Sequence, residues 1–164
     1  FISRSTIQHI VAQTNLFWAQ ESADNPDTSG RPFDAVTYLE IYAWLGICVA
    51  NGCHPVPNIK LIWSNEFAYG MPRLATVMSL TRFEQIKRYL QVNDNSKESA
   101  SSDRLFKIRP LLSVLSRNCT RVYNPHREVA VDEMDIPFKG RSPYKSRIIY
   151  KRAGDGFLLL SWFL

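Results

Sequence analysis

Apolar residues in the first hundred positions recur every three or four residues, the spacing that places them on one face of a helix. The first predicted helix carries this pattern at Ile7, Ile10, Val11, Leu16, Phe17 and Trp18. A second helix is predicted after Thr37, because Thr37 and Glu40 have the spacing of a capping box. This second helix is apolar nearly all round, which predicts a central position in the fold.

Two shorter helices are predicted in the next segment. Asn58 is a suitable cap for a short helix over residues 59–63. Thr81 and Glu84 have the spacing of a second capping box, in front of a helix that turns Phe83 and Ile86 inward.

The segment from residue 93 onward predicts a loop and then a last helix. Residues 93–103 are polar and rich in Ser, as loops are. The helix begins at Arg109-Pro110, because proline suits the first helical turn, and it stops before Pro125. Its polar face is predicted to carry Ser113, Ser116, Arg117, Thr120 and Arg121.

Beyond this helix, apolar residues recur at every second position, which indicates strands. Residues 128–136 alternate as a strand does, and residues 147–151 and 157–164 flank Gly154-Asp155-Gly156, a hairpin signal. The pattern as a whole predicts an α+β fold. Its predicted regions are a mainly helical one over residues 1–126 and a strand-rich one over residues 127–164.

The formal net charge of +5 is distributed unevenly along the chain. Residues 1–100 carry eight Lys or Arg against nine Asp or Glu, a net of −1, whereas residues 101–164 carry twelve against six, a net of +6. A local positive excess favours binding to a polyanion, because neutralised phosphates release counterions. A solvated basic surface without a partner is the alternative.

Six cations lie between residues 136 and 154, where no acid occurs, and three aromatic residues stand among them. The cations are Lys139, Arg141, Lys145, Arg147, Lys151 and Arg152. The aromatic residues are Phe138, Tyr144 and Tyr150. Cations neutralise phosphates and aromatic rings stack on unpaired bases, so this segment is a candidate DNA-binding surface. Ordinary alternation in an amphipathic hairpin accounts for the same pattern.

Asp132, Glu133 and Asp135 form an acidic cluster inside the first predicted strand. Asp is unfavourable in strand interiors, and a functional reason for it would be Mg²⁺, which takes oxygen ligands. An edge-strand acid that faces water, or one that pairs with the basic segment, is the alternative. Alternation places Glu133 and Asp135 on the opposite face from Asp132, so the three acids cannot easily share one ion.

A set of short segments stands in a specific order along the chain. The segments are residues 40–46 (Glu-Ile-Tyr-Ala-Trp-Leu-Gly), 57–63, 78–83 (Met-Ser-Leu-Thr-Arg-Phe), 86–90, 92–95 (Val-Asn-Asp-Asn), 103–112 (Asp-Arg-Leu-Phe-Lys-Ile-Arg-Pro-Leu-Leu), 124–125, 131–133 (Val-Asp-Glu) and 136–141 (Ile-Pro-Phe-Lys-Gly-Arg). Each segment is weak alone, but the ordered combination resembles the piggyBac-type DDE transposases and the proteins derived from them. The resemblance extends to about residue 150.

This resemblance implies a dimerisation and DNA-binding region over residues 1–126, followed by the first strands of an incomplete RNase H-like catalytic core. Asp132 falls on the first of three catalytic Asp, which in the family hold Mg²⁺ and drive strand cleavage and transfer at TTAA targets. The resemblance further implies DNA as the partner, a nuclear location and the capacity to form a homodimer. It implies no association with a membrane and no small-molecule substrate.

The segment after Tyr150 departs from the family pattern, and the surroundings of Asp155 match neither of the remaining catalytic Asp. We therefore expect a truncated transposase or a transposase-derived protein that binds DNA but has lost strand transfer. One carboxylate supplies only part of a two-metal site. A non-enzymatic DNA-binding or dimerisation module, or an inert transposon remnant, is the alternative.

Overall fold

The structure, a computed structural model, describes residues 2–24, 33–100, 103, 105–124, 130–138, 140, 142, 145–147 and 155–163. The helices are α1 (Arg4–Asp24), α2 (Tyr38–Cys53), α3 (Pro72–Ala75), α4 (Leu80–Tyr89) and α5 (Arg109–Val122). Short 3-10 helices span Ile59–Trp63, Asn95–Ala100 and Phe106–Ile108. The strands are β1 (Ala130–Pro137), β2 (Ser146–Arg147) and β3 (Asp155–Phe163).

The chain divides into two compact units, a helical unit over Phe1–Ser116 and a sheet unit over Arg117–Leu164. The division falls inside α5. The boundary predicted between residues 126 and 127 lies within the segment 125–129, which is outside the described part of the chain. That boundary therefore stays a prediction.

The core of the helical unit lies between α1, α2 and α4. Its side chains are at most 4% exposed at Ile10, Ile41, Ile47, Phe83 and Ile86. Removing an aliphatic or aromatic side chain of this size from water stabilises a fold by about 1.5–3 kcal/mol. The helical spacing of these residues in the sequence therefore accounts for the core, and the inward positions predicted for the helix with Phe83 and Ile86 are confirmed.

Two tryptophans, Trp44 of α2 and Trp63 of the 3-10 helix Ile59–Trp63, pack against this core. The Trp44 ring stacks on Phe83 with ring centroids 5.4 Å apart, and Trp44 Nε1 donates a hydrogen bond to the Phe83 carbonyl oxygen (3.2 Å). Trp63 Nε1 donates to the Met78 carbonyl oxygen (2.7 Å). Each indole thus packs through its apolar surface while its N–H is satisfied.

Helix α2 has the predicted cap but not the predicted burial on all sides. Thr37 Oγ1 accepts a hydrogen bond from the Glu40 backbone N–H (3.3 Å), and the Glu40 carboxylate accepts one from the Thr37 N–H (2.9 Å). Leu39 and Val49 are nevertheless 73% and 67% exposed, and Tyr42 is exposed as well. The predicted central position of α2 is confirmed by its contacts with α1 and α4, but the stripe that carries these three residues stays exposed.

The cap of α4 also differs from the prediction. Ser79 is the N-cap residue, and its Oγ accepts a hydrogen bond from the Arg82 backbone N–H (3.2 Å). Thr81 lies inside the helix, and Glu84 forms an ion pair with Lys60 (2.6 Å). The predicted capping box of Thr81 and Glu84 is therefore wrong, because the helix begins earlier, after a serine that caps it equally well.

Three other local predictions can be compared with the structure. Asn58 Oδ1 accepts a hydrogen bond from the Lys60 backbone N–H (3.1 Å), which confirms the cap of the short helix. Helix α5 begins at Arg109 and ends at Val122, as predicted. The segment predicted as a loop contains the 3-10 helix Asn95–Ala100, so it is more regular than its composition indicates.

The sheet of the second unit has the strand order β1-β3-β2, and both pairings are antiparallel. All eight residues of β1 pair with β3. β2 pairs only with the first two residues of β3, Asp155 and Gly156. The strands predicted near β1 and β3 are confirmed. The turn predicted at Asp155 and Gly156 is wrong, because both residues already belong to β3.

The described residues form an α+β chain that is mostly helical and carries a small three-stranded antiparallel sheet. This part of the predicted fold class is confirmed, and an RNase H-like core stays a prediction. Across the described ranges, no helix combines the length and the apolar character needed to cross a bilayer.

Candidate nucleic-acid interface

Asp132 occupies the third position of β1, directly opposite Ser161 of β3. The next residue, Glu133, lies opposite Leu160. Since successive residues of a strand alternate between the faces of a sheet, these two acidic positions belong to opposite faces. The register thus agrees with the expectation that the acids of this cluster do not share one ion.

An oxygen ligand at Asp132 has the chemistry that Mg²⁺ prefers. Among the residues that the structure describes, however, no three His, Cys, Asp or Glu lie close enough together to hold a metal ion. Two-ion phosphoryl chemistry draws its acids from several segments of a chain. The assignment of Asp132 as a catalytic residue and metal ligand stays a prediction.

The structure describes two of the six cations of the predicted basic surface, Lys145 and Arg147. The positions outside the described residues are Lys139, Arg141, Lys151 and Arg152. Lys145 donates hydrogen bonds from Nζ to the Gly140 carbonyl oxygen and from its backbone N–H to the Ser142 carbonyl oxygen, each 3.4 Å long. Arg147 belongs to β2 and lies opposite Asp155 of β3. Both cations belong to the sheet unit that also contains Asp132.

Phe138, which the sequence offers as a ring for stacking on bases, packs within the sheet unit. Its ring centroid lies 5.1 Å from that of Phe157. A Cβ atom at Gly140 would meet the far end of the Phe138 ring, which would have to move aside. Phe138 remains 37% exposed, so base stacking by this residue stays a prediction.

Two of the segments that carry the family resemblance contact each other in the helical unit. Asn93 Nδ2 donates a hydrogen bond to the Phe106 carbonyl oxygen (2.7 Å). Arg109 donates to Asp103 twice, from Nε to Oδ2 and from Nη2 to Oδ1, and both bonds are 2.6 Å long. The guanidinium beside Asp103 lowers the pKa of that carboxyl to about 2. These side chains therefore have structural partners within the unit.

Asp94 joins the same region to α1. Its Oδ1 accepts hydrogen bonds from Ser96 Oγ (2.7 Å), the Ser96 backbone N–H (3.1 Å) and Gln20 Nε2 (3.2 Å). The hydroxyl of Ser96, followed by the amide of Gln20, lowers the pKa of Asp94 to about 2. Lys97 Nζ lies 3.5 Å from the other carboxylate oxygen. Asp94 is thus held ionised by contacts inside the unit.

Two cations of α5 are absent from the predicted DNA-binding set although both are exposed. Arg117 and Arg121 stand four residues apart, which is about one helical turn. A sequence signal for them exists, because residues 104–127 contain six Lys or Arg and no acid. The sequence predicts these residues only as part of the polar face of a helix, and the cations of this stretch are spread over more residues than those after residue 136.

Comparisons with known proteins identify the family to which these elements belong. A family model described as Transposase IS4 matches residues 1–161. The chain is 28% identical over 133 residues, 81% of its length, to the human piggyBac transposable element-derived protein 5. It is 27% identical over 157 residues, 96% of its length, to the human piggyBac transposable element-derived protein 3.

Among solved structures, the chain is similar to a piggyBac transposase in a cryo-EM structure of its synaptic complex with hairpin DNA. The TM-score is 0.80, with 25% identity over 99% of this chain. The chain belongs to the piggyBac-type DDE transposase family, which confirms the resemblance read from its segments. It spans 25% of the length of each of the two human relatives and 34% of the transposase chain.

Proposed function

We propose that this transposase-derived chain binds DNA through the basic residues of its last third. The observation that carries the proposal is its likeness to a piggyBac transposase in a complex with hairpin DNA. The net charge of +6 over residues 101–164 supports it, because each neutralised phosphate releases a counterion. The proposed phosphate contacts are Lys139, Arg141, Lys145, Arg147, Lys151 and Arg152.

Fluorescence anisotropy with a labelled duplex, measured across a range of NaCl concentrations, tests this function. The affinity is expected to fall steeply as salt rises. Replacing Lys139, Arg141, Lys145 and Arg147 by Ala should weaken binding and lower the slope of log affinity against log salt by about 0.9 for each phosphate contact that is lost. No binding by the unaltered chain at low salt would overturn the proposal and leave the inert remnant as the better description.

A charge-matched control shows whether weaker DNA binding comes from the loss of particular cations or from the lower net charge alone. Four exposed cations of the helical unit serve for it: Arg4, Arg73, Lys87 and Arg88. Their replacement by Ala removes the same charge and is expected to leave the salt slope nearly unchanged. An equal loss of affinity in both variants would contradict an interface in the last third.

The catalytic part of the proposal is that Asp132 contributes one oxygen ligand to Mg²⁺ but that the chain by itself performs no strand transfer. Of the three catalytic Asp that the family resemblance implies, this sequence contains a match for the first only. A bound Mg²⁺ supplies charge stabilisation for phosphoryl transfer. Asp132 would hold the ion, and β1 would position that carboxylate.

Two measurements test this part separately. Mn²⁺, used in place of Mg²⁺, is expected to broaden backbone amide signals of β1 in the unaltered chain and not in Asp132→Asn. Absence of this difference would contradict a metal ligand at Asp132. Incubation of the chain with Mg²⁺ and DNA that contains transposon ends is expected to give no cleavage, and cleavage that depends on Asp132 would overturn the proposed inactivity.

A homodimer is a second candidate function, and the exposed apolar face of α2 favours it. The residues of this face, Leu39, Tyr42, Gly46, Val49 and Cys53, are all exposed and follow the alternating three- and four-residue spacing of a coiled-coil seam. At Gly46, no described atom beyond its chain neighbours and the nearby helix backbone lies within 4 Å of the place a Cβ would take, so a second helix backbone has room to approach. Sedimentation velocity over a range of concentrations is expected to show a dimer that Leu39→Glu with Val49→Glu dissociates.

The proposed partner places the chain in the nucleus, where DNA is available to it. Microscopy of a fluorescently tagged chain in cells tests this location. Nuclear signal that exceeds that of the fluorescent tag alone is expected, and exclusion from the nucleus would contradict it.

A further inference from the structure

A second acid-free basic stretch precedes the strand that carries Asp132. Residues 104–127 contain six cations and no Asp or Glu, namely Arg104, Lys107, Arg109, Arg117, Arg121 and Arg127. Together with the six cations after residue 136, they make up all twelve Lys and Arg of the last 64 residues. The positive charge of this part of the chain therefore comes from two sets of six cations. The proposed function assigns DNA contacts only to the set after residue 136.

The cations of this stretch differ in their partners. The charge of Arg109 is matched by Asp103 through two hydrogen bonds of 2.6 Å. Arg117 and Arg121, by contrast, form no ion pair with any carboxylate among the residues that the structure describes. Both side chains belong to exposed residues. They are thus available to an anionic partner in a way that Arg109 is not.

The two arginines lie on one face of the C-terminal half of α5. Positions 117, 120 and 121 follow the three- and four-residue spacing of a single helix face, and all three are exposed. Arg117 and Arg121 are separated by about 6 Å along the helix axis. One DNA strand carries a phosphate about every 3.4 Å along the duplex axis, so this separation spans roughly two phosphates.

The side chains of this face are those that contact phosphate oxygens. A guanidinium presents a planar fork of N–H donors that matches phosphate geometry, and the Thr side chain is a common phosphate partner. A favourable interaction of Arg121 with the C-terminal end of the helix dipole accounts for one of the cations, but that effect is confined to the last turn. It does not account for Arg117, one turn earlier.

We propose that Arg117 and Arg121, flanked by Thr120, form a second contact with the phosphate backbone of double-stranded DNA. The residues of this α5 face differ from the residues 139–152 of the proposed function, and the inference rests on the proposed function in that the chain must bind DNA at all. Backbone contacts carry no sequence information, so the α5 face adds affinity for any duplex and fixes the orientation of the chain on it.

The experiment compares three double variants of the whole chain on a duplex of about 30 base pairs, from about 50 to about 200 mM NaCl. Arg117→Ala with Arg121→Ala is expected to lower the salt slope by about 2 and to weaken binding at least about threefold at the lowest salt. Arg117→Lys with Arg121→Lys should keep the slope, because both charges remain. Arg73→Ala with Lys87→Ala, which removes two exposed cations of the helical unit, should also keep it. Circular dichroism checks that each variant retains its helices.

The outcomes separate this inference from the proposed function. If the α5 alanine variant keeps the affinity and slope of the unaltered chain while the variant at Lys139, Arg141, Lys145 and Arg147 loses them, the α5 face is overturned and the proposed function stands. If the Arg73 and Lys87 variant loses as much as the α5 variant, the effect is one of net charge and the inference is overturned. If the unaltered chain binds no duplex at low salt, the two proposals fall together.

The partner class is tested in the same titrations. Polyglutamate of matched charge is expected to compete less well than duplex DNA, and its competition should not depend on Arg117 and Arg121. Equal competition by polyglutamate, weakened to the same extent in the α5 variant, would identify an acidic polypeptide surface and overturn the assignment to DNA.

Discussion

Arg109 and Asp103 form a two-point ion pair in which Nε and Nη2 of the guanidinium each donate to a different carboxylate oxygen over 2.6 Å. Asp103 also accepts a hydrogen bond from the Leu105 backbone N–H (2.9 Å). Because Arg109 is the first residue of α5, the pair fastens the start of this helix to the chain that precedes the short helix Phe106–Ile108. Paired, parallel hydrogen bonds of this kind are among the stronger charge-assisted contacts.

The ion pair predicts an acid-dependent loss of stability. The folded pKa of Asp103, about 2, lies below the value of about 3.9 for an unfolded Asp. The pair therefore stabilises the fold fully above about pH 4, and the contribution is lost as the pH falls through about 2. Asp103→Asn is expected to lower the urea midpoint at neutral pH, and the deficit should shrink as the pH falls over this window.

Asp34→Asn is the control for this prediction, because Asp34 is an exposed acid of the same helical unit. The urea midpoint of this control is expected to follow that of the unaltered chain at each pH. A deficit in Asp103→Asn that stays constant from neutral to strongly acidic pH would show that the charge of the carboxylate is not the cause.

The helix caps predict a contrast between two threonines. Thr37→Ala removes the side-chain acceptor of the capping box of α2 and is expected to cost about 1 kcal/mol of unfolding free energy. Ser79→Ala should cost a similar amount at α4. Thr81→Ala, inside α4 and exposed, should change the free energy by less than about 0.5 kcal/mol. Urea unfolding followed by circular dichroism measures all three, and equal costs at Thr37 and Thr81 would contradict the cap assignment.

The two faces of α2 predict different costs for removing a branched side chain. Ile41 is 0% exposed and Leu39 is 73% exposed, although they are two residues apart on the same helix. Ile41→Ala is expected to destabilise the chain by about 2–5 kcal/mol, because it leaves a cavity in the core. Leu39→Ala should cost less than about 0.5 kcal/mol at concentrations where the chain is monomeric. A large cost at Leu39 in the monomer would show that this face is covered within the chain.

Two glycines are expected to respond to alanine in opposite directions. A Cβ atom at Gly70 would collide with the Ser64 carbonyl oxygen, and this close approach accompanies a hydrogen bond from the Gly70 N–H to the Glu66 carbonyl oxygen (2.8 Å). Gly70→Ala should therefore destabilise the chain, because backbone atoms must move. Gly46→Ala, at a helix position with open space around it, should stabilise the monomer by about 0.5–1 kcal/mol. Thermal unfolding of both variants checks the signs.

Local spacing in the sequence was sufficient for several elements. The capping box of Thr37 and Glu40 was predicted correctly because both residues act within one turn of the helix. The box of Thr81 and Glu84 has the same spacing and was predicted wrongly, since Ser79 begins the helix first and Lys60 pairs with Glu84. Spacing alone does not rank two adjacent caps, and it contains no information on a partner 24 residues away.

The candidate site was predictable to a smaller extent. The basic residues after position 136 were apparent because they are dense and acid-free, whereas Arg117 and Arg121 are diluted among neutral residues of a helix. The structure distinguishes them from Arg109, which has a carboxylate partner in Asp103. That difference depends on a contact and not on composition.

The sequence by itself determined the longer helices, the change to strands after the last helix, and the family, because each depends on residue types at short, ordered spacings. It did not indicate the short helix α3 or the 3-10 helix Asn95–Ala100. Only the tertiary structure decided that one face of α2 stays exposed at Leu39 and Val49, and that Asn93 binds the carbonyl of Phe106. It also decided the pairing that sets Asp132 opposite Ser161. The physical reason is that burial and strand register are set by partners distant along the chain, which a local pattern does not specify.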